Sequence, residues 1–212
     1  PPLPRAAMRQ AIGWAKAAGG RVAFTLSDTF CVERHRADFQ ELLDGAIDIL
    51  FANAGLLGGL APLGHYDQKG WDRVMAVNLD SLMHIARKFR AQLSATRGSI
   101  VIVSSISGLK ANIGNPAYAA SKAGAISLTK TLGQAFAADG IRVNGLAPGL
   151  VDTKLTKVTT QHPGRLEGAL AQIPQRRMGT PEDMAGTAIF LASPLASYVT
   201  GHTVIVDGGL SL

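Results

Sequence analysis

Along the chain, stretches with apolar residues at helical spacing take turns with short runs of continuous apolar, β-branched residues. Met8, Ala11, Ile12 and Ala15 recur at a period near 3.6, and Gly19-Gly20 supplies a stop. Residues 21–26 then read as a strand, and residues 33–43 as a helix whose apolar side is Phe39, Leu42 and Leu43. Residues 47–52 read as a second, buried strand ending at Asn53-Ala54-Gly55. Further on, residues 71–93 predict one long helix and residues 99–104 a core strand bounded by Gly98 and a serine cluster. Residues 117–138 give an alanine-rich helix ended by Gly140, and residues 141–147 a strand broken at Pro148-Gly149. Residues 182–192 are a helix and residues 203–206 the last strand, ending at Asp207-Gly208-Gly209. Residues 154–175, polar and irregular, are expected to form a mobile loop. Alternation of this kind predicts an α/β fold with a mainly parallel sheet, built as a single domain over residues 1–212.

Composition narrows the function classes. With 47% apolar and 17% charged residues, the 212-residue chain can bury a substantial core. The net charge is +6, yet the basic residues are scattered and the densest pair is Arg176-Arg177. A nucleic-acid-binding stripe is therefore not expected, whereas a field favouring an anionic small molecule is. The single cysteine, Cys31, cannot form an internal disulfide or a cysteine metal cluster, which suits a reducing, cytoplasmic setting. It reads as a packed residue near a helix start. The five histidines lack metal-ligand spacing, so no metal site is expected. No apolar run approaches the ~20 residues that span a bilayer, so no membrane association is expected. The opening Pro1-Pro2-Leu3-Pro4-Arg5 has neither signal-peptide form nor an initiator methionine, which suggests a preceding segment.

The chemistry sits in the middle of the chain. Tyr118 and Lys122 are four apart on a predicted helix and share one face. A nearby ammonium favours the phenolate over the phenol, whose free pKa is about 10. Lowering it by about 2 units takes about 2.7 kcal/mol of differential interaction and makes tyrosine a usable general acid/base. Ser105 follows the predicted core strand. In open α/β sheets ligands bind beyond the carboxyl ends of strands, and a hydroxyl there can stabilise a developing oxyanion. Asn53-Ala54-Gly55 follows another strand end. Asn78 lies inside a predicted helix, where asparagine is a poor former unless it serves a bond or a water.

The order of these motifs resembles the short-chain dehydrogenase/reductase family. The matching pieces are Asn53-Ala54-Gly55, Asn78, Ser105, Tyr118-Ala119-Ala120-Ser121-Lys122 and Asn144-Gly145-Leu146-Ala147-Pro148-Gly149. Downstream come Val151-Asp152-Thr153, residues 177–183, residues 197–201 and Val206-Asp207-Gly208-Gly209. The resemblance covers residues 48–212, is nearest to 3-oxoacyl-carrier-protein reductases, and implies a Rossmann-like, doubly wound sheet. It implies hydride transfer between NAD or NADP and a ketone or secondary alcohol, a 3-oxoacyl thioester among the candidates. Tyr118 would be the general acid/base, and Lys122 would lower its pKa and hold the nicotinamide ribose. Ser105 would polarise the carbonyl, and Asn78 would hold a proton-relaying water. Pro148, Gly149, Val151 and Thr153 would position the nicotinamide, and Asn53, Ala54 and Gly55 would line the adenosine side. Residues 154–175 would cover the substrate. A homodimer or homotetramer is implied, with residues 71–93 and 117–138 in one contact and the last strand with residues 182–192 in another.

The N-terminal quarter departs from that family. Residues 1–52 form an atypical α-β-α-β segment ahead of the dehydrogenase portion, residues 53–212. The glycine-rich turn Thr-Gly-x-x-x-Gly-x-Gly, which lets a backbone approach a pyrophosphate, has no counterpart among Gly13, Gly19 and Gly20. The stretch from Ala15 through Arg36 to Asn53, within residues 9–53, resembles an internal segment of ribokinase-like sugar and nucleoside kinases, which suggests a hybrid chain. Strand 22–27 is expected beside strand 48–53, in place of the missing first strand. The turn Ser27-Asp28-Thr29-Phe30 would then face the pyrophosphate position. The alternative to an active reductase is a catalytically silent oligomeric domain that cannot bind the dinucleotide.

Overall fold

The computed structural model describes residues 5–26, 47–53, 55–59, 61, 63–112 and 114–212. Five parallel strands form one sheet: β1 (Ala23–Leu26), β2 (Ile49–Ala52), β3 (Ser99–Val103), β4 (Arg142–Pro148) and β5 (Thr203–Val206), in the spatial order β1-β2-β3-β4-β5. The helices are α1 (Arg5–Ala17), α2 (Gln68–Met75), α3 (Ser81–Ala95), α4 (Pro116–Phe136), α5 (Lys157–Thr160), α6 (Pro163–Gln172) and α7 (Pro181–Ala192). No α-helix among them is long and apolar enough to cross a membrane.

The β-branched runs become strands because both sheet faces are covered. Leu50, Ile100, Ile102 and Val143 pack with Leu82, Ala86, Phe89 and Leu93 of α3 and with Ala125, Leu132 and Phe136 of α4. On the opposite face Val101 and Leu146 meet Leu191 of α7, with Met184 and Ala188 against them. Helices on both faces make the sheet doubly wound, as the sequence predicted, and all strand ends that carry candidate site residues point the same way.

Strand β1 pairs in parallel with β2, Ala23 opposite Ile49 and Leu26 opposite Ala52. This is the placement expected for strand 22–27. The predicted helix 33–43, Cys31 and the turn 27–30 with Asp28 lie outside the described residues. One carboxylate joins the N-terminal elements. Asp48 accepts two bonds from the Lys16 ammonium, at 2.8 and 2.7 Å, and a third from the Val22 amide at 2.7 Å. The group is buried, so these bonds offset its desolvation and fasten α1 and the start of β1 to β2.

Two expectations are corrected. The long helix of residues 71–93 is interrupted: Ala76–Asp80 is a π-helical turn between α2 and α3. Asn78 sits in that turn, fully buried, its side chain bonded outside the helix. Residues 154–175, expected as a loop, instead fold into a 3-10 turn followed by α5 and α6. Thr153 and Thr156 form a reciprocal cap on the 3-10 turn, and Pro163 opens α6 at a position where its missing N–H costs no helix bond.

Replacing Asp48 with alanine strands the half-buried Val22 amide and frees Lys16. A loss on the order of 1–3 kcal/mol is expected, read as a lower urea midpoint with an unchanged slope. Unchanged stability would show that the Asp48 contacts do not hold the β1 edge.

Candidate active site

The site is assembled at the carboxyl ends of β2, β3 and β4 and on the first turns of α4. Asn115 caps α4, its Oδ1 accepting from the Tyr118 amide at 3.2 Å, and Pro116 starts the helix. This sets Tyr118 and Lys122 on one face, and both are buried. Beyond β3, Ser104 donates to the Lys122 carbonyl at 2.8 Å, so the strand end is tied to the helix. Ser105 follows in extended backbone, and its Oγ accepts from the Ser107 amide at 3.1 Å. The Ser105 hydroxyl hydrogen remains free to act on the Tyr118 phenol, an influence that favours the phenolate.

The turn after Ser105 depends on a glycine. A Cβ on Gly108 would stand 2.6 Å from the Lys122 carbonyl carbon and 2.7 Å from the Ala123 nitrogen. Only a residue without a side chain lets the serine turn rest on the helix backbone there.

The Lys122 ammonium donates to the Val103 carbonyl at 2.9 Å and lies 5.7 Å from the centre of the Tyr118 ring. No carboxylate among the described residues pairs with it. Burial therefore pulls its pKa down from 10.5 to about 8. Burial likewise pushes the Tyr118 phenol up, and the Ser105 bond opposes that rise. This corrects the expectation that Lys122 lowers the Tyr118 pKa: the ammonium is turned toward a backbone carbonyl, and the group acting on the phenol oxygen is Ser105.

One cavity of about 1090 Å³ brings together Asn53, Gly55, Ser105, Tyr118, Lys122, Pro148, Gly149, Val151 and Thr153. Ala54 lies outside the described residues. Asn78 does not line the cavity. Its Oδ1 accepts from the Leu56 amide at 2.7 Å, while its Nδ2 donates to the Leu56 carbonyl at 2.9 Å and to Ser121 Oγ at 3.0 Å. The segment after β4 is held from both sides. Gly149 donates to the Val206 carbonyl at 2.9 Å, Asp152 donates to the Gly179 carbonyl at 2.9 Å, and Val151 bridges to Gly179.

Sequence reasoning missed Asn115, Leu57, Met184 and Ala188, all of which line the cavity. An asparagine directly before a proline at a helix start was a readable cap signal. Nothing in the local sequence marked the other three, which arrive from a loop and a distant helix.

A family profile described as enoyl-(acyl carrier protein) reductase matches residues 6–211. The chain belongs to the short-chain dehydrogenase/reductase family of oxidoreductases. It is 42% identical over 167 residues to the 3-oxoacyl-[acyl-carrier-protein] reductase of Thermotoga maritima, covering 78% of this chain and 67% of that one. It is 41% identical over 197 residues to the Chlamydia pneumoniae protein of the same name, covering 91% and 78%. Among solved structures, the gluconate 5-dehydrogenase of Burkholderia cenocepacia in complex with NADP and tartrate superposes with a TM-score of 0.75. That pair is 31% identical, with 98% of this chain and 72% of the other covered. The reductase profile runs through the segment with the kinase resemblance, and the comparisons give that resemblance and a hybrid origin no support.

The buried ammonium makes a prediction about stability. A base whose folded pKa falls to about 8 loses its proton in the folded chain before the unfolded one. The penalty is therefore complete below pH 8, and stability from this group rises as pH climbs from about 8 toward 10.5. Lys122→Met removes a penalty on the order of 3 kcal/mol. The variant is expected to melt at higher temperature than the wild type at neutral pH, with the gap closing across that alkaline window. A variant less stable at neutral pH would contradict it.

Proposed function

We propose that the chain transfers hydride between NAD(P)H and a ketone or secondary alcohol, with 3-oxoacyl thioesters leading the candidate substrates. The observation that carries this reading is the convergence of Tyr118, Lys122 and Ser105 on one cavity that continues along Pro148, Gly149, Val151 and Thr153. The donor set fits the nicotinamide-ribose half of a dinucleotide. An ammonium with one bond spent on Val103 and a phenol beside it suit a pair of ribose hydroxyls. When bound, the nicotinamide supplies or accepts the hydride.

Each remaining part of the reaction falls to a side chain. In reduction Tyr118 delivers its hydroxyl proton to the carbonyl oxygen, and Ser105 donates a hydrogen bond to the same oxygen as its charge develops. In oxidation the Tyr118 phenolate takes the alcohol proton. Lys122 would hold the ribose through the ammonium hydrogens not spent on Val103. We assign Pro148, Gly149, Val151 and Thr153 to positioning the nicotinamide, and Asn53, Ala54 and Gly55 to the adenosine side. Asn78, bonded to the residue before Lys122, is assigned to the proton relay through a held water. The 154–175 segment, whose residues Lys154, Leu155 and Thr156 line the cavity, is assigned to covering the substrate. The two reductases are named for acyl-carrier-protein thioesters, and the structural relative is a dehydrogenase solved with NADP. No observation favours the silent domain. We assign the activity to the cytoplasm.

Tyr118→Phe is expected to retain NADPH fluorescence enhancement while kcat for a β-keto ester falls by about 10²–10⁴. A wild type that neither binds NADPH or NADH nor turns over the ester would end the reductase reading. Ser105→Ala removes the one bond that favours the Tyr118 phenolate, leaving burial unopposed. Alcohol oxidation needs the phenolate, so its alkaline rise should move to higher pH in this variant. A limb that stays put or moves down contradicts the assigned bond.

For association we propose a homodimer or homotetramer. The support is the apolar surface that runs from α7 through the connecting turn to β5, where Ile189, Phe190, Leu195, Tyr198 and Ile205 are exposed. Light scattering is expected to give a mass of two or four chains, and Ile189→Lys to lower it. A wild-type monomer contradicts the assignment.

A further inference from the structure

The segment that crosses over the reactive helix is held by two buried asparagines at consecutive residues. Asn78 binds both backbone groups of Leu56, at 2.7 and 2.9 Å. Asn115, 1% exposed, donates from Nδ2 to the Leu57 carbonyl at 2.6 Å while its Oδ1 caps the Tyr118 amide at 3.2 Å. The backbone of Asn115 is committed too: its amide donates to the Asn112 carbonyl at 3.2 Å, and its carbonyl accepts from the Ala119 amide at 3.1 Å. The strap these residues grip, Gly55 to Leu57, passes close above Lys122, where a Cβ on Gly55 would stand 3.7 Å from the ammonium nitrogen. Asn115 and Leu57 both line the cavity.

We propose that Asn115 is a positioning residue that sets the height of the Gly55–Leu57 strap over Tyr118 and Lys122, and thereby the placement of the bound reactants against the phenol. An ordinary helix cap needs only an acceptor, and serine or aspartate supplies one as well as asparagine. The amide is needed because its second end must donate to a carbonyl. Aspartate has no hydrogen to give there and would set two acceptors face to face. Serine keeps the cap but is too short to reach Leu57. The inference rests on the reductase reading for its kinetic consequence, but the strap itself can be watched without turnover.

Asn115→Ser, Asn115→Asp and Asn115→Ala separate the two roles. Amide hydrogen exchange on the full chain is expected to rise at residues 55–59 in Ser and Asp, with residues 116–122 staying protected. In the same two variants, kcat for a β-keto ester with NADPH should fall about 10- to 100-fold, since misplacement by about 1 Å costs up to that much. The ester KM should change less than threefold. Asn115→Ala, which also loses the cap, should add exchange in residues 116–122 and a lower melting temperature. Wild-type kcat in Ser or Asp would overturn the proposal. So would activity loss in Ser accompanied by exchange in residues 116–122, which would make Asn115 a cap alone. Unaltered exchange at residues 55–59 would overturn the clasp even if wild type reduced no ester, an outcome that sinks the reductase reading by itself.

Discussion

The active centre is organised around a positive charge placed where positive charge is unwelcome. Lys122 is 4% exposed and, among the described residues, its ammonium has a backbone carbonyl as its hydrogen-bond partner and no carboxylate. A stable core would use an apolar residue there. Retaining the ammonium makes sense where an anionic or hydroxyl-rich partner completes its coordination, and the cavity beside it is large enough for one. The surrounding bonds follow from this. Ser104 fixes the Lys122 carbonyl, Ser121 bonds Tyr118 and Asn78, and the capped first turn holds Tyr118 in register with both.

Division of labour between Ser105 and Lys122 differs from the simple pairing of a phenol with a neighbouring ammonium. The hydroxyl acts directly on the Tyr118 oxygen, while the ammonium stands off the ring and holds a strand end. Burial raises the phenol, so proton donation is the favoured direction at neutral pH and proton abstraction requires help. Its single hydroxyl hydrogen tempers the phenol in the free site, and under the proposed reaction it would pass to the reacting oxygen when a carbonyl binds.

Much of this arrangement was legible in the residues because it depends on short-range spacing. Tyr118 and Lys122 share a face through helical geometry, and the apolar runs at residues 99–104 and 141–147 read as core strands. The parallel pairing of residues 23–26 with residues 49–52 was also readable, since a buried strand lacking its neighbour accepts the next strand available. What escaped was set by distant partners. The π turn at Asn78 exists because its side chain bonds Leu56 and Ser121, far away in sequence. The helices after residue 156 looked irregular because their polar composition hid a cap at Thr153 and a proline start at Pro163. The orientation of Lys122 toward Val103 could not be inferred from a four-residue spacing, which fixes the face and not the rotamer. The kinase resemblance of residues 9–53 followed local wording in the chain, whereas the family match extends across it.

The contact between Gly108 and the backbone of Lys122 has a broader consequence. Main chain rests on main chain there, so the spacing between the serine hydroxyl and the phenol does not depend on which side chains line the rest of the cavity. Under the proposed reaction, Leu155, Met184 and Ala188 could be exchanged to admit a different substrate without retuning the phenol. Chemistry and selectivity are thus mechanically decoupled, and a scaffold with that property can change diet while keeping its reaction.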